Sequence, residues 1–151
     1  MRVLVQRVSR ATVRVRGETV AAIGPGLLLL TGVGASSEPG DEEKLARKVF
    51  HLRVFEDDEG KMNLALPDVG GEVLVVPQFT LYGDAAKGRR PSWIRAAPPE
   101  VASTRVEALA RALEGLGARV SRGAFREHME VELVNDGPVT LWLDAADLPG
   151  R

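Results

Sequence analysis

The stretch 72-EVLVVPQFTL-81 is the one around which the rest of the chain can be ordered. Glu72 to Val76 is a short apolar run introduced by Gly70-Gly71, and it reads as a strand. Pro77 follows at once. Proline has no N–H to give to a ladder, so the chain leaves the sheet here. The amides of Gln78, Phe79 and Thr80 are then expected to be unpaired, and unpaired amides that point into a cleft can hold an oxyanion. Thr80 adds a hydroxyl able to act as nucleophile or to position water. A plainer reading is a strand end that packs Phe79 into the core, and on residue types alone it is the default.

Strands and helices extend outward from this segment. Upstream, Val3, Val5 and Val8 begin a period-2 pattern. Thr12 to Arg16 continues it, Gly17-Glu18 makes a turn, and Thr19 to Ile23 alternates again, which predicts an antiparallel meander. After Gly24-Pro25-Gly26, Leu27 to Val33 reads as a buried strand. Asp41 to His51 predicts a helix with Asp41 as its cap, Glu42 and Glu43 in its first turn, and Leu45, Val49 and Leu52 on one face. Arg53 to Glu56 reads as a short strand. Downstream, Pro99 to Leu116 is the second helix, with Val101, Val106, Leu109, Ala110 and Leu113 on its apolar side, Pro99 in its first turn and Gly117 at its end. Glu130 to Asn135 and Val139 to Asp144 close the chain as two strands. The expected fold class is α+β: largely antiparallel β-sheets with about two helices packed on them, in a single domain over residues 1–151. Tyr82 to Pro98 carries no pattern, and loops of that length are usually functional or disordered.

Composition narrows the function classes. The 151 residues are 44% hydrophobic and 27% charged, a globular balance. There is no cysteine, which excludes disulfides, thiolate metal sites and a cysteine nucleophile. His51 and His128 stand far apart without ligand-like spacing, so no metal is expected. No apolar run approaches the ~20 residues needed to span a bilayer, and the alternating N-terminus does not resemble a signal peptide; a soluble, cytoplasmic protein is expected. The net charge of −1 means that any nucleic-acid contact must come from a local patch or from an end-recognising pocket.

Two further segments can carry chemistry. In 87-KGRRPSWIR-95, Lys87, Arg89, Arg90 and Arg95 surround Trp93, which suits phosphate contact and base stacking; a solvated loop is the competing reading. In 135-NDGPVT-140, Asn-Asp-Gly reads as a hairpin turn between strands. Gly-Pro at a turn can be cis and would give a rigid backbone wall able to sense the shape at a ligand's α-carbon. Asp57, Asp58 and Glu59 are read as an acidic turn without chemistry, and Met62 and Met129 as packing.

Together these segments resemble the D-aminoacyl-tRNA deacylase family, often called D-Tyr-tRNA deacylase. The resemblance runs over nearly the whole chain, through MRVLVQRVSRA, FEDDEGKMN, VVPQFTLYGD, KGRRPSW, AAPPE and NDGPVT. The family motifs SQFTL and NXGPVT both occur, in order. One residue departs from them: Pro77 stands where the family has serine, so a mechanism that needs that hydroxyl cannot run here. The resemblance implies a cytoplasmic, cofactor-free hydrolase serving proofreading in translation quality control. Its partners would be mischarged D-aminoacyl-tRNA and glycyl-tRNA. It implies a homodimer whose active site lies at the subunit interface. Among the catalytic residues Gln78, Phe79 and Thr80, the amides near Phe79 and Thr80 would stabilise the oxyanion and Gln78 would help shape the pocket, with the ribose hydroxyl of the substrate helping to activate water. Gly137-Pro138, in the cis form and held by Arg7, would enter the partner subunit's site and reject L-amino acids. Lys87, Arg89, Arg90 and Trp93 would contact tRNA. The competing readings are a non-catalytic RNA-binding module, an editing deacylase preferring another small amino acid, and a structural dimer built on the sheet.

Overall fold

A computed structural model describes residues 1–150. In chain order the elements are β1 (Arg2–Val15), β2 (Glu18–Ile23), β3 (Gly26–Gly32), α1 (Asp41–His51), β4 (Phe55–Glu56), β5 (Met62–Leu64), α2 (Leu66–Val69), β6 (Glu72–Pro77), α3 (Pro99–Gly115), β7 (Arg119–Arg122) and β8 (Glu130–Asp144). Short 3₁₀ turns lie at Phe79–Tyr82 and Ala145–Asp147.

β1, 14 residues long, organises the main sheet. β2 and β3 run end to end along one of its edges, with Ala11 opposite Ile23 and Val8 opposite Gly26. β8 runs along the other, from Arg2 opposite Asp144 to Arg14 opposite Glu130. All of these pairs are antiparallel, as expected from the alternating pattern. Beyond β3 the sheet turns parallel, through β6 and then β7. That part escapes period-2 reasoning because parallel strands sit far apart in sequence and are joined by helical crossovers. Here α1 and α3 lie in the two crossovers. Gly26 starts the β3–β6 pairing opposite Glu72. A Cβ there would lie 1.9 Å from the Glu72 carbonyl oxygen, so only glycine lets the two backbones meet.

Alternation along β3 and β6 divides the core. Leu27, Leu29, Val73 and Val75 face the helices and pack with Leu45 and Val49 of α1 and Leu109 and Leu113 of α3. Leu28, Leu74 and Val76 face the other way and join Val8, Ala11, Val13 and Ile23. β1 contributes to both clusters: Val3 and Val5 share the face of Leu27 and Leu29, Val8 takes the opposite face by regular alternation, and the slip at Val8/Arg10 keeps Ala11 and Val13 on the face of Val8.

Several expectations need correction. Asp41 is the first residue of α1 rather than its cap; Gly40 holds the cap position, and the Asp41 carboxylate instead accepts from the Glu38 amide at 3.0 Å and the Met1 ammonium at 3.1 Å. Val101 is exposed, and Ala102 takes the buried position one residue on. The two closing strands are one continuous strand, β8, so Asn135–Thr140 is not a hairpin. Both halves pair with β1, and Arg7 alone lies between Gln6, opposite Thr140, and Val8, opposite Asn135. The four residues from Asp136 to Val139 therefore bulge out of the strand.

Candidate active site

The parallel ladder of β3 and β6 ends at the pair Thr31 and Pro77. One more bond follows: the Gln78 amide donates to the Thr31 carbonyl at 2.7 Å. This corrects the expectation of three unpaired amides, because β3 reaches far enough to satisfy the first. The chain then enters the 3₁₀ turn, closed by the Leu81 amide on the Gln78 carbonyl (3.3 Å) and the Gly83 amide on the Thr80 carbonyl (2.9 Å). The amides of Phe79 and Thr80 open this turn, and among the described residues neither meets a protein acceptor. The first amides of any helical turn lack internal partners, so strand end and turn together leave two adjacent donors.

Phe79 does not pack into the core. It is 54% exposed and meets Trp93 edge-on, with ring centroids 5.3 Å apart. The Gln78 carboxamide donates to the Thr80 hydroxyl. Beneath the turn, Tyr82 is buried and Arg2 lies over its ring, 4.3 Å from the centroid. Arg2 also binds the Leu81 carbonyl (3.1 Å) and the Asp144 carboxylate (2.9 Å). Burial pushes the Tyr82 phenol up. Burial alone would raise Asp144 as well, but hydrogen bonds from Arg2 and the Ala146 amide outweigh it and hold the carboxyl below its ordinary value.

Gln78, Phe79 and Trp93 line a cavity of about 730 Å³. Its walls are largely apolar: Val76 and Pro77 from the strand end, Ala102 and Val106 from α3, Phe125 and Met129 from the segment leading into β8, and Val131 from β8 itself. Arg126, Glu127 and His128 also border it. Sequence reasoning missed Phe125 and gave Met129 only a packing role. Both lie between strands where no periodicity operates, so no pattern marked them. Lys87, Arg89 and Arg90 do not line the cavity. They are exposed on a loop pinched by the reciprocal pairing of Asp84 and Ser92 (2.9 and 2.8 Å). Arg95 sits 3.6 Å from the Asp84 carboxylate.

Gly137 and Pro138 lie elsewhere in the chain, exposed on the bulge of β8. Their peptide bond is cis. Arg7, only 5% exposed, secures the bulge from behind. Its Nε donates to the Asp136 carbonyl at 3.0 Å and its Nη1 to the Val54 carbonyl at 2.7 Å. Asn135 completes the brace. Its carboxamide nitrogen reaches the carbonyls of Val139 and Arg7, both at 3.0 Å, and its oxygen accepts from the Thr140 hydroxyl at 2.8 Å. Gly137 has φ +122°, and a Cβ would lie 2.8 Å from an Arg7 nitrogen. Within one chain the bulge does not border the cavity that Gln78 and Phe79 line.

A mixed sheet with two long helices on one face, and an apolar cavity at its strand ends, defines a class of small α+β protein with a concave site. Comparison with known proteins narrows that class. The family model described as D-Tyr-tRNA(Tyr) deacylase matches residues 4–144. A protein of Thermomicrobium roseum named D-aminoacyl-tRNA deacylase is 58% identical over 150 residues, covering 99% of this chain and 97% of its own. One of the same name from Heliobacterium modesticaldum is 55% identical over 144 residues, covering 95% and 96%. A solved structure described as c-Myc DNA Unwinding Element Binding Protein superposes with a TM-score of 0.89 at 38% identity, covering 95% of this chain and 98% of that one. The chain belongs to the D-Tyr-tRNA(Tyr) deacylase family.

Proposed function

We propose that this protein hydrolyses the ester between a D-amino acid, or glycine, and the terminal ribose of tRNA. The observation that carries this reading is the pair of unpartnered amides at Phe79 and Thr80, in a turn whose Gln78 and Phe79 line a cavity large enough for a terminal nucleoside. Water adds to the ester carbonyl, and the oxyanion so formed accepts hydrogen bonds from the two N–H groups. The carbon–oxygen bond to the ribose then breaks, and the ribose oxygen takes up a proton. One such donor contributes about 2.7–4 kcal/mol to the transition state. The Thr80 hydroxyl is already engaged by Gln78, which favours main-chain chemistry over a threonine nucleophile. Pro77 in place of the family serine is compatible with this, since no side-chain hydroxyl is required at that position.

Selection by handedness belongs to the bulge. In the proposed homodimer, Gly137 and Pro138 of one subunit enter the cavity of the other. Their backbone occupies the space an L side chain would need, while hydrogen at that position is tolerated, so glycine also passes. Rejection of this kind acts by steric clash rather than by added attraction. The support is the bracing: an exposed turn held from behind by a buried arginine and an asparagine is built to keep its shape. Lys87, Arg89, Arg90 and Trp93 complete the reading as contacts to tRNA.

The test is a deacylation time course with D-Tyr-tRNA, L-Tyr-tRNA and Gly-tRNA. The expected result is loss of the D-tyrosyl and glycyl esters and survival of the L-tyrosyl ester. Binding of tRNA without cleavage of any ester would instead support a non-catalytic RNA-binding module.

A further inference from the structure

The molecule carries a second concentration of positive charge, away from Lys87–Arg95. Lys44, Arg47, Lys48 and His51 recur on α1 at spacings of three and four, so they share one helix face. They border an open cleft of about 430 Å³ together with Arg53, Leu148 and Pro149. Arg47, Lys48 and His51 are exposed and Lys44 is half-buried, whereas the apolar residues Leu45, Ala46, Val49 and Phe50 are turned into the core. None of Lys44, Arg47 and Lys48 forms an ion pair among the described residues. Two of the three acids in its first turn are committed elsewhere, Asp41 to the Met1 ammonium and Glu42 to Arg105; the third, Glu43, is exposed. In a chain whose net charge is −1, four basic residues against one uncommitted acid make this face a local excess of positive charge.

Its position gives it a use. α1 leads through Leu52 and Arg53 into Val54, whose carbonyl holds Arg7. The same guanidinium holds Asp136, one residue before Gly137. The basic face and the Gly137–Pro138 bulge therefore hang from one buried side chain. We infer that this face binds the sugar–phosphate backbone of the substrate tRNA whose charged end lies in the partner subunit's cavity. The inference rests on the reading that the bulge enters that cavity, because the basic face then arrives there with it. At ~1.5 Å per residue the face from Lys44 to His51 is about 10 Å long. With phosphates ~3.4 Å apart along the axis of one strand, it spans two or three of them. A lipid surface fits less well, since α1 exposes no apolar residue beside its cations.

The test replaces the three cations together, Lys44→Gln, Arg47→Gln and Lys48→Gln. A control of equal charge change is Lys61→Gln, Arg111→Gln and Arg119→Gln. Affinity for uncharged tRNA is measured across a salt series. The α1 variant is expected to bind about 10–100-fold more weakly at ~0.1 M salt, and its log–log salt slope to fall by about 2, the value for two to three lost phosphate contacts. The control keeps the wild-type slope. In deacylation of D-Tyr-tRNA the α1 variant raises KM and leaves kcat unchanged, and it cleaves the same amino acid esterified to a trinucleotide at the wild-type rate. An unchanged salt slope, or equal losses on the long and short substrates, would overturn the inference. Wild-type protein that cleaves neither substrate would overturn the deacylase reading, while the salt slope would still decide whether the α1 face holds RNA.

Discussion

The turn after β6 and the bulge in β8 make opposite use of the same material. Both are backbone features that interrupt a strand. The turn borders a cavity through Gln78 and Phe79 and offers two amides, those of Phe79 and Thr80, without acceptors. The bulge at Gly137–Pro138 projects outward, and side chains behind it hold the carbonyls at its two ends: Arg7 on Asp136, Asn135 on Val139. One region is a socket with free donors; the other is a convex piece braced at both ends. Under the proposed function, the contrast divides chemistry from selection. Catalytic groups must stay unsatisfied until substrate arrives, whereas a steric gauge works only if nothing lets it relax.

Replacing parts of the two regions should therefore produce different signatures. The largest effect is expected for Arg7→Ala. It removes a buried cation from two carbonyls, leaves them orphaned, and should lower stability by about 3 kcal/mol, read as a shift in the urea midpoint. Deacylation of D-Tyr-tRNA should fall at least 100-fold with it. Gly137→Ala comes next. The added methyl meets Arg7 at 2.8 Å in a backbone conformation unsuited to L residues, so the melting temperature should fall by a few degrees, less than for Arg7→Ala because the bulge itself is exposed, while activity or D/L selectivity collapses. Intact activity and selectivity in this variant would remove the bulge from the mechanism.

In the socket, side-chain changes should matter less than the main chain. Thr80→Ala is expected to keep activity within about tenfold, because the amide remains; a loss of three orders of magnitude would point to a threonine nucleophile. His128→Ala should change kcat by less than about threefold, although His128 borders the cavity; a larger loss with a shifted pH profile would make the imidazole a general base. The smallest effect is Asp144→Asn, which loosens Arg2 beneath the socket. Asp144 is held below its ordinary value of 3.8, so it stabilises the folded state above that pH and the benefit is lost as acid titrates the folded carboxyl. The variant should be less stable by about 1 kcal/mol at pH 7, and the difference should close progressively below pH 3.8, as read from melting temperatures.

Local rules made much of this legible in the sequence. Both long helices were predicted within a residue because charge, proline and apolar spacing agree at their ends. The strand before Pro77 and the chain's departure after it followed from one missing N–H. What escaped depends on distance. The parallel half of the sheet joins segments separated by helices. The reach of β3 that satisfies Gln78 belongs to another strand. The bulge of β8 arises because Arg7, far away in sequence, replaces ladder bonds with side-chain ones; its own residues, Asn-Asp-Gly, read just as well as a hairpin. Phe125 and Met129 reach the cavity from a segment without periodicity. The motifs named the residues on which the proposed function rests, and the fold alone showed that Gln78 and Pro138 lie in different places.

β1 is synthesised far ahead of β8, yet one whole edge of it waits for that strand. During translation that edge stays open, with valine-rich backbone available to any passing strand, until β8 has left the ribosome. Closure of the main sheet must therefore await the synthesis of β8, and a chain stalled before Glu130 would be a natural client for chaperones.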